Sequence, residues 1–284
     1  MSEFKITVFH TGIVCVSPNL PFGGENCNII KASGIFSKKS DRLWLPVSCY
    51  LIEHPIGKIL VDTGWHRNIS PNGKFDKRAQ IKSLGSPLLY MTNQGMIENG
   101  MTIDEQLAQK GIKISDIDYL LLSHLDCDHV NGLNQVSNVK NILVAKDELE
   151  FAQHGGLTNR VRYQKKWWDG VEMRAFDWNG TEGPAAKSYD LFKDGSVVCI
   201  NIPGHSDGMF AVKITNSKGQ YVLLVSDGGY AKKSWEQTIL PGIASDKKAQ
   251  KKSLMWIQKM ASSKNCIEVL ANHDTELKPH EILF

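Results

Sequence analysis

The sequence lacks a charge excess of either sign, a long apolar run and any closely spaced pair of cysteines. Lys+Arg 33 against Asp+Glu 30 leaves a formal charge of +3 over 284 residues, which gives no electrostatic case for a nucleic-acid or membrane partner. No window approaches the roughly 18 to 20 uninterrupted apolar residues of a membrane span. The opening MSEFKITVFHTG has neither the basic stretch nor the apolar run of a secretory leader. The expectation is a cytoplasmic protein acting on a small molecule. Cys15, Cys27, Cys49, Cys127, Cys199 and Cys266 are far apart, without the CxxC spacing of a structural zinc site or the density of a disulfide scaffold, so they read as reduced thiols. There is no short-period repeat, low-complexity tract or linker.

What is present reads as one α/β domain over 1–284. Apolar runs at 5–16, 47–53 and 58–62 read as strands, the last two joined by the turn His54-Pro55-Ile56-Gly57. From about Gly64 to Gly100 the chain is rich in Gly, Pro, Asn and Ser, an irregular stretch that suits a pocket wall. Thr102-Ile103-Asp104-Glu105 forms a capping-box pattern, predicting a helix to about Lys110 that stops at Gly111. Further strands are expected at 117–122, 141–145, 197–202, 209–214, 221–225 and 267–271, with a helix over about 246–260. The polar and aromatic segment 154–194, carrying Trp167, Trp168, Phe176 and Trp178, reads as an inserted lid.

Five of these strands run into a residue able to bind metal: Asp62, His124, His205, Asp227 and His273. In α/β proteins ligands bind beyond strand ends, so strands sharing an edge would bring these residues together. The densest element is Ser123-His124-Leu125-Asp126-Cys127-Asp128-His129. Four potential ligands in six residues carry two carboxylates whose repulsion asks for a cation, and a metal supplies it. Cys127 is expected to point away from the ligands.

These residues resemble the His-x-His-x-Asp-His cluster, distant His, Asp and final His of the metallo-β-lactamase superfamily. The resemblance spans most of the chain, from Asp62-Thr63-Gly64 to His273. It is nearest to the N-acyl homoserine lactonases, through the hairpin around Tyr50-Leu51-Ile52-Glu53-His54-Pro55, Pro203-Gly204-His205-Ser206 and Asp227-Gly228-Gly229-Tyr230. It implies a four-layer αβ/βα sandwich, with relatives that occur as monomer or homodimer. It also implies two divalent metal ions. His124, Asp126 and His205 would hold the first, Asp128, His129 and His273 the second, and Asp227 would bridge them. Asp62 would orient ligands from behind. The implied reaction is hydrolysis of a lactone or related cyclic ester, with Tyr230 donating to the developing oxyanion and Asp128 moving the proton to the leaving alkoxide.

Asp126 departs from the family pattern, which has His there. The carboxylate makes the centre one unit less positive and harder, so manganese or iron joins zinc as a candidate; flavodiiron proteins carry Glu at this position and bind iron. Three outcomes are open: Asp126 binds the first metal, that position is weak and one ion suffices, or the chemistry is lost. The intact remainder of the set argues against loss. Alternatives on the same fold are phosphodiester, thioester or β-lactam hydrolysis. A phosphodiesterase is expected to bring extra basic residues near the metals, for which His66, Arg67 and Lys165-Lys166 are the candidates. A di-iron redox protein or a non-catalytic metal-dependent binder is the alternative from another class.

Overall fold

A computed structural model describes residues 4–284. The first sheet is built from β1 (Lys5–Val16), β2 (Leu43–His54), β3 (Gly57–Val61), β4 (Gln94–Met96), β5 (Tyr119–Leu122), β6 (Asn141–Ala145) and β7 (Arg174–Phe176). The second contains β8 (Ser188–Asp190), β9 (Val197–Asn201), β10 (Phe210–Thr215), β11 (Tyr221–Leu224) and β12 (Cys266–Leu270). The last strand, β13 (Glu281–Leu283), returns to the first sheet, whose order is β13-β1-β2-β3-β5-β6-β7 with β4 on β1. The second sheet runs β12-β11-β10-β9-β8.

Strand alternation explains the layering. In β2 and β3, Tyr50, Ile52, Ile59 and Val61 face the second sheet's Cys199, Phe210, Val212 and Leu224, while Cys49, Leu51 and Leu60 face helices on the other side. That outer layer carries Leu84, Leu89, Leu107 and Ala152. On the far side of the second sheet, Leu254 and Ile257 of the helix Lys247–Ala261 pack on Ala211, Leu223 and Val225. Helix, sheet, sheet and helix therefore stack as the αβ/βα sandwich that the family resemblance implies. Each leucine-sized side chain removed from water contributes about 1.5–3 kcal/mol.

Two segments are more ordered than composition suggests. Within 64–100, expected to be irregular, lie helices Lys77–Leu84 and Pro87–Thr92. Asp76 Oδ1 accepts the N–H groups of Arg78 and Ala79, and Ser86 Oγ that of Leu89, so both helices start on side-chain caps. The 154–194 segment lends an edge strand to each sheet, since β7 pairs with β6 and β8 with β9. Phe176 stacks on Tyr189 at 4.3 Å in the core between the sheets. All six cysteines are free, and no described helix is long and apolar enough to cross a membrane.

Candidate metal centre

The predicted strand ends meet at one edge of the sandwich. Two glycines permit the tight exits. Gly64 follows β3 at φ +63 with Thr11 Oγ1 1.9 Å from where a Cβ would stand, and Gly204 precedes His205 at φ +134 against the backbone of Gln250. Asp62 and Ser226 also adopt left-handed backbone, at φ 60 and 47, a conformation that in non-glycine residues gathers at functional sites.

All seven residues named as ligands come together, in two groups: His124, Asp126, His205 and Asp227, and Asp128, His129 and His273. Asp227 spans both. Its Oδ2 lies 3.7 Å from His205 Nε2 and 4.0 Å from His124 Nε2, and its Oδ1 lies 3.1 Å from His273 Nε2 and 3.3 Å from His129 Nε2. Asp128 Oδ2 is 3.5 Å from His273 Nε2.

Hydrogen bonds behind the rings set their tautomers. His129 Nδ1 donates to Asp62 Oδ2 at 2.8 Å, and His273 Nδ1 to the Pro46 carbonyl at 2.7 Å. At His124 a relay decides. Ser123 Oγ donates to Asp62 Oδ2 at 2.7 Å, so the 2.7 Å contact between Ser226 and Ser123 is donated by Ser226. With its only proton used, Ser226 Oγ accepts from His124 Nδ1 at 3.2 Å. In their neutral forms the three imidazoles thus point Nε2 lone pairs inward. His124 Nε2, His129 Nε2 and Asp227 Oδ1 are buried without a hydrogen-bond partner, a costly arrangement in protein alone and a natural one around a cation.

The charges agree. Burial and the neighbouring His129 push His124 down to about 4, so it is neutral at pH 7. Burial works against the Asp227 anion, yet His273 and His129 hold its carboxyl well below the usual range. Burial would lower His129 and His273, but Asp227, with Asp62 or Asp128, raises both. That affinity for protons measures a deficit of positive charge that a divalent cation fills. By donors and charge the cluster is suited to divalent metal ions.

Sequence reasoning missed Arg162. Its Nε reaches Asp126 Oδ1 at 2.6 Å and its Nη2 reaches Asp126 Oδ2 at 2.7 Å and His205 Nε2 at 2.7 Å. Burial opposes the Asp126 anion, but Arg162 and the flanking His124 and His205 keep its carboxyl well below the carboxylate range. Also missed were Ser123, Ser226 and Asn272, each one residue before a named ligand; Asn272 Nδ2 lies 3.2 Å from His129 Nδ1 and Tyr50 donates to Asn272 Oδ1 at 3.1 Å. Position next to a strand-end ligand was the available signal for these three, and Arg162 had none.

The centre floors a cavity of about 450 Å³ with apolar walls that include Val14, Leu20, Leu45, Leu88 and Val161. Leu89, Thr92 and Asn93 show that the 64–100 stretch does wall it. Cys127, expected to point away, borders the same cavity; burial, with Asp128 and Asp126 nearby, pushes its thiol well up and keeps it protonated. Tyr230 is buried at the rim of the cluster, its hydroxyl 3.5 Å from His205 Nδ1. Arg67 is spent on Glu105, and His66 and Lys166 line a different cavity.

The metallo-beta-lactamase superfamily pattern matches residues 42–213. The chain belongs to that superfamily. It is 28% identical over 236 residues to the N-acyl homoserine lactonase AttM of Agrobacterium fabrum, covering 82% of this chain and 83% of that protein. It is 30% identical over 232 residues to the N-acyl homoserine lactonase of Bacillus cereus, covering 82% of each. Among solved structures, an N-acyl homoserine lactone hydrolase with N-hexanoyl-L-homoserine at its catalytic metal centre superposes with a TM-score of 0.74 at 23% identity, covering 97% of this chain and 95% of that one. The superfamily chain described here shares its fold with that enzyme.

Proposed function

We propose that this superfamily member hydrolyses a lactone carrying an apolar tail, an N-acyl homoserine lactone or a close analogue. The observation that carries the reading is the joining of a His/Asp metal site to an apolar cavity: the polar floor suits an ester group and the walls suit a hydrocarbon chain. The names of the curated relatives support the same substrate class. Asp128, His129 and His273, with Asp227, would hold a divalent cation. Zinc is the first choice for this mixed imidazole and carboxylate set, and the carboxylates admit manganese or iron.

A divalent cation there supplies acidification of water and polarisation of the ester carbonyl. The chain's own residues do the rest. Asp62, Ser226 and the Pro46 carbonyl hold the three rings so that their Nε2 atoms converge. Tyr230, whose hydroxyl burial and the Asp227 charge keep protonated, donates a hydrogen bond to the oxyanion as it forms. Asp128, which borders both cluster and cavity, is the residue we assign to carry a proton to the leaving alkoxide. The walls exclude water from the tail.

The phosphodiester alternative loses its basic residues: Arg67 pairs with Glu105, Lys165 with Asp169, His66 and Lys166 line a different cavity, and the Arg162 charge is matched by Asp126. Purified protein loaded in turn with zinc, manganese and iron is assayed against acyl homoserine lactones of several chain lengths, a phosphodiester, a thioester and a β-lactam. Lactone turnover well above the others is expected. Absence of lactone turnover with every metal would remove the proposal.

A further inference from the structure

The two halves of the centre are not equivalent, and Arg162 is the reason. In the half made by Asp128, His129, His273 and Asp227 Oδ1, no lysine or arginine among the described residues pairs with the donors. In the other half a guanidinium already does. Arg162 Nη2 lies 2.7 Å from Asp126 Oδ2 and 2.7 Å from His205 Nε2, the two atoms that would otherwise face an ion. Its Nε takes Asp126 Oδ1 at 2.6 Å, and its Nη1 donates to the His205 carbonyl at 3.0 Å. Four of five N–H groups are thus committed in one forked grip on one carboxylate and one histidine. Arginine keeps its charge at any working pH, and its rigid fork matches a carboxylate's two oxygens.

This accounts for the replacement of His by Asp at 126. A histidine there could not receive the fork, and the largely buried guanidinium would lose its carboxylate partner; with Asp126 the pair is neutral. It also removes ligands. Once Asp126 and His205 are engaged, the half retains His124 Nε2 and the shared Asp227 Oδ2, 4.0 Å apart, and zinc takes at least three protein ligands.

We propose that Arg162 is the resident cation of the first half, and that the chain consequently takes one divalent ion, in the half of Asp128, His129, His273 and Asp227, where the superfamily resemblance implies two. The assignment rests on the metal-site reading above but not on the identity of the substrate.

The test is stoichiometry. Chelator-stripped full-length protein is reconstituted with excess Co(II), desalted, and its cobalt per chain measured by elemental analysis, with electron paramagnetic resonance reporting whether the ions are isolated or spin-coupled. Wild type is expected to hold one ion with an uncoupled signal, and Arg162→Met to hold two with a coupled one. His129→Ala should lose the single ion, and His205→Ala should keep it. Two ions in the wild type overturn the assignment alone, as does a single ion lost by His205→Ala. No ion in the wild type overturns the metal reading together with it, and a folded Arg162→Met that still holds one ion overturns the assignment alone. The wild-type count needs no variant, so a misfolded Arg162→Met would leave the test intact.

Discussion

His129 turns its Nδ1 onto Asp62 Oδ2 at 2.8 Å, and neither residue is more than 1% exposed. The contact fixes which ring nitrogen carries the proton, and therefore which one faces the centre. The same carboxylate receives the Ser123 hydroxyl and backbone N–H at 2.7 and 2.8 Å, so one side chain controls His129 directly and His124 through the serine relay. Asp62→Asn keeps a residue type that tolerates φ 60 but replaces one acceptor oxygen with a donor. Metal affinity is expected to fall about 10- to 100-fold, measured by competition with a chromogenic chelator. An unchanged affinity would mean that His129 owes its orientation to Asn272 instead.

Tyr230 tests the electrostatic part of the reaction. Its hydroxyl makes one long contact, 3.5 Å to His205 Nδ1, so removing it should cost at most about 1 kcal/mol of stability. Loss of an oxyanion donor costs roughly a hundredfold or more in kcat. Tyr230→Phe should therefore lower kcat by about that factor with KM within a few-fold, at nearly unchanged Tm. A variant with unaltered kcat would return Tyr230 to the role of a packing aromatic.

Much of this was legible because strand ends carry their ligands in the local sequence. Val61 to Asp62, Leu122 to His124 and Leu270 to His273 each join a strand signal to a site residue one to three residues later, and parallel pairing of β3 with β5 and of β11 with β12 aligns those ends. The helices at Lys77–Leu84 and Pro87–Thr92 were hidden because Gly, Ser and Asn content outweighed two caps, Asp76 and Ser86, that were themselves readable. Arg162 was hidden for a deeper reason. It sits 36 residues from Asp126 and 43 from His205, and the packing that delivers it leaves no periodicity or spacing behind.

The cavity makes a prediction about chain length. Leu20 lies in its wall, and each methylene withdrawn from water contributes about 0.8 kcal/mol. Leu20→Trp shortens the space open to a tail, so the ratio of kcat/KM for decanoyl over hexanoyl homoserine lactone should fall about 10- to 100-fold, with the shorter substrate little affected. Equal losses for both would indicate damage to the centre, and no change would place the tail elsewhere.

Glu148, behind the ligand-bearing turns, supplies a pH dependence of stability. It is fully buried; its Oε2 accepts the Ser206 hydroxyl at 2.6 Å and its Oε1 the Leu125 N–H at 3.1 Å. Burial pushes its carboxyl from 4.5 up to about 7, against the pull of Ser206 and of the Arg162 charge. A raised carboxyl pKa means the native state holds a proton that the unfolded chain gives up. Its contribution is therefore complete below about pH 4.5 and is lost progressively as pH rises through about 7. A shift of this size corresponds to about 3 kcal/mol. Denaturant unfolding of wild type and Glu148→Gln at pH 5 and pH 8 reads it as a difference between two slopes. Wild type should lose about that much more stability than the variant over the interval. Parallel pH profiles would show that Glu148 is ionised in the native protein throughout, with the Arg162 charge as the stronger influence on it.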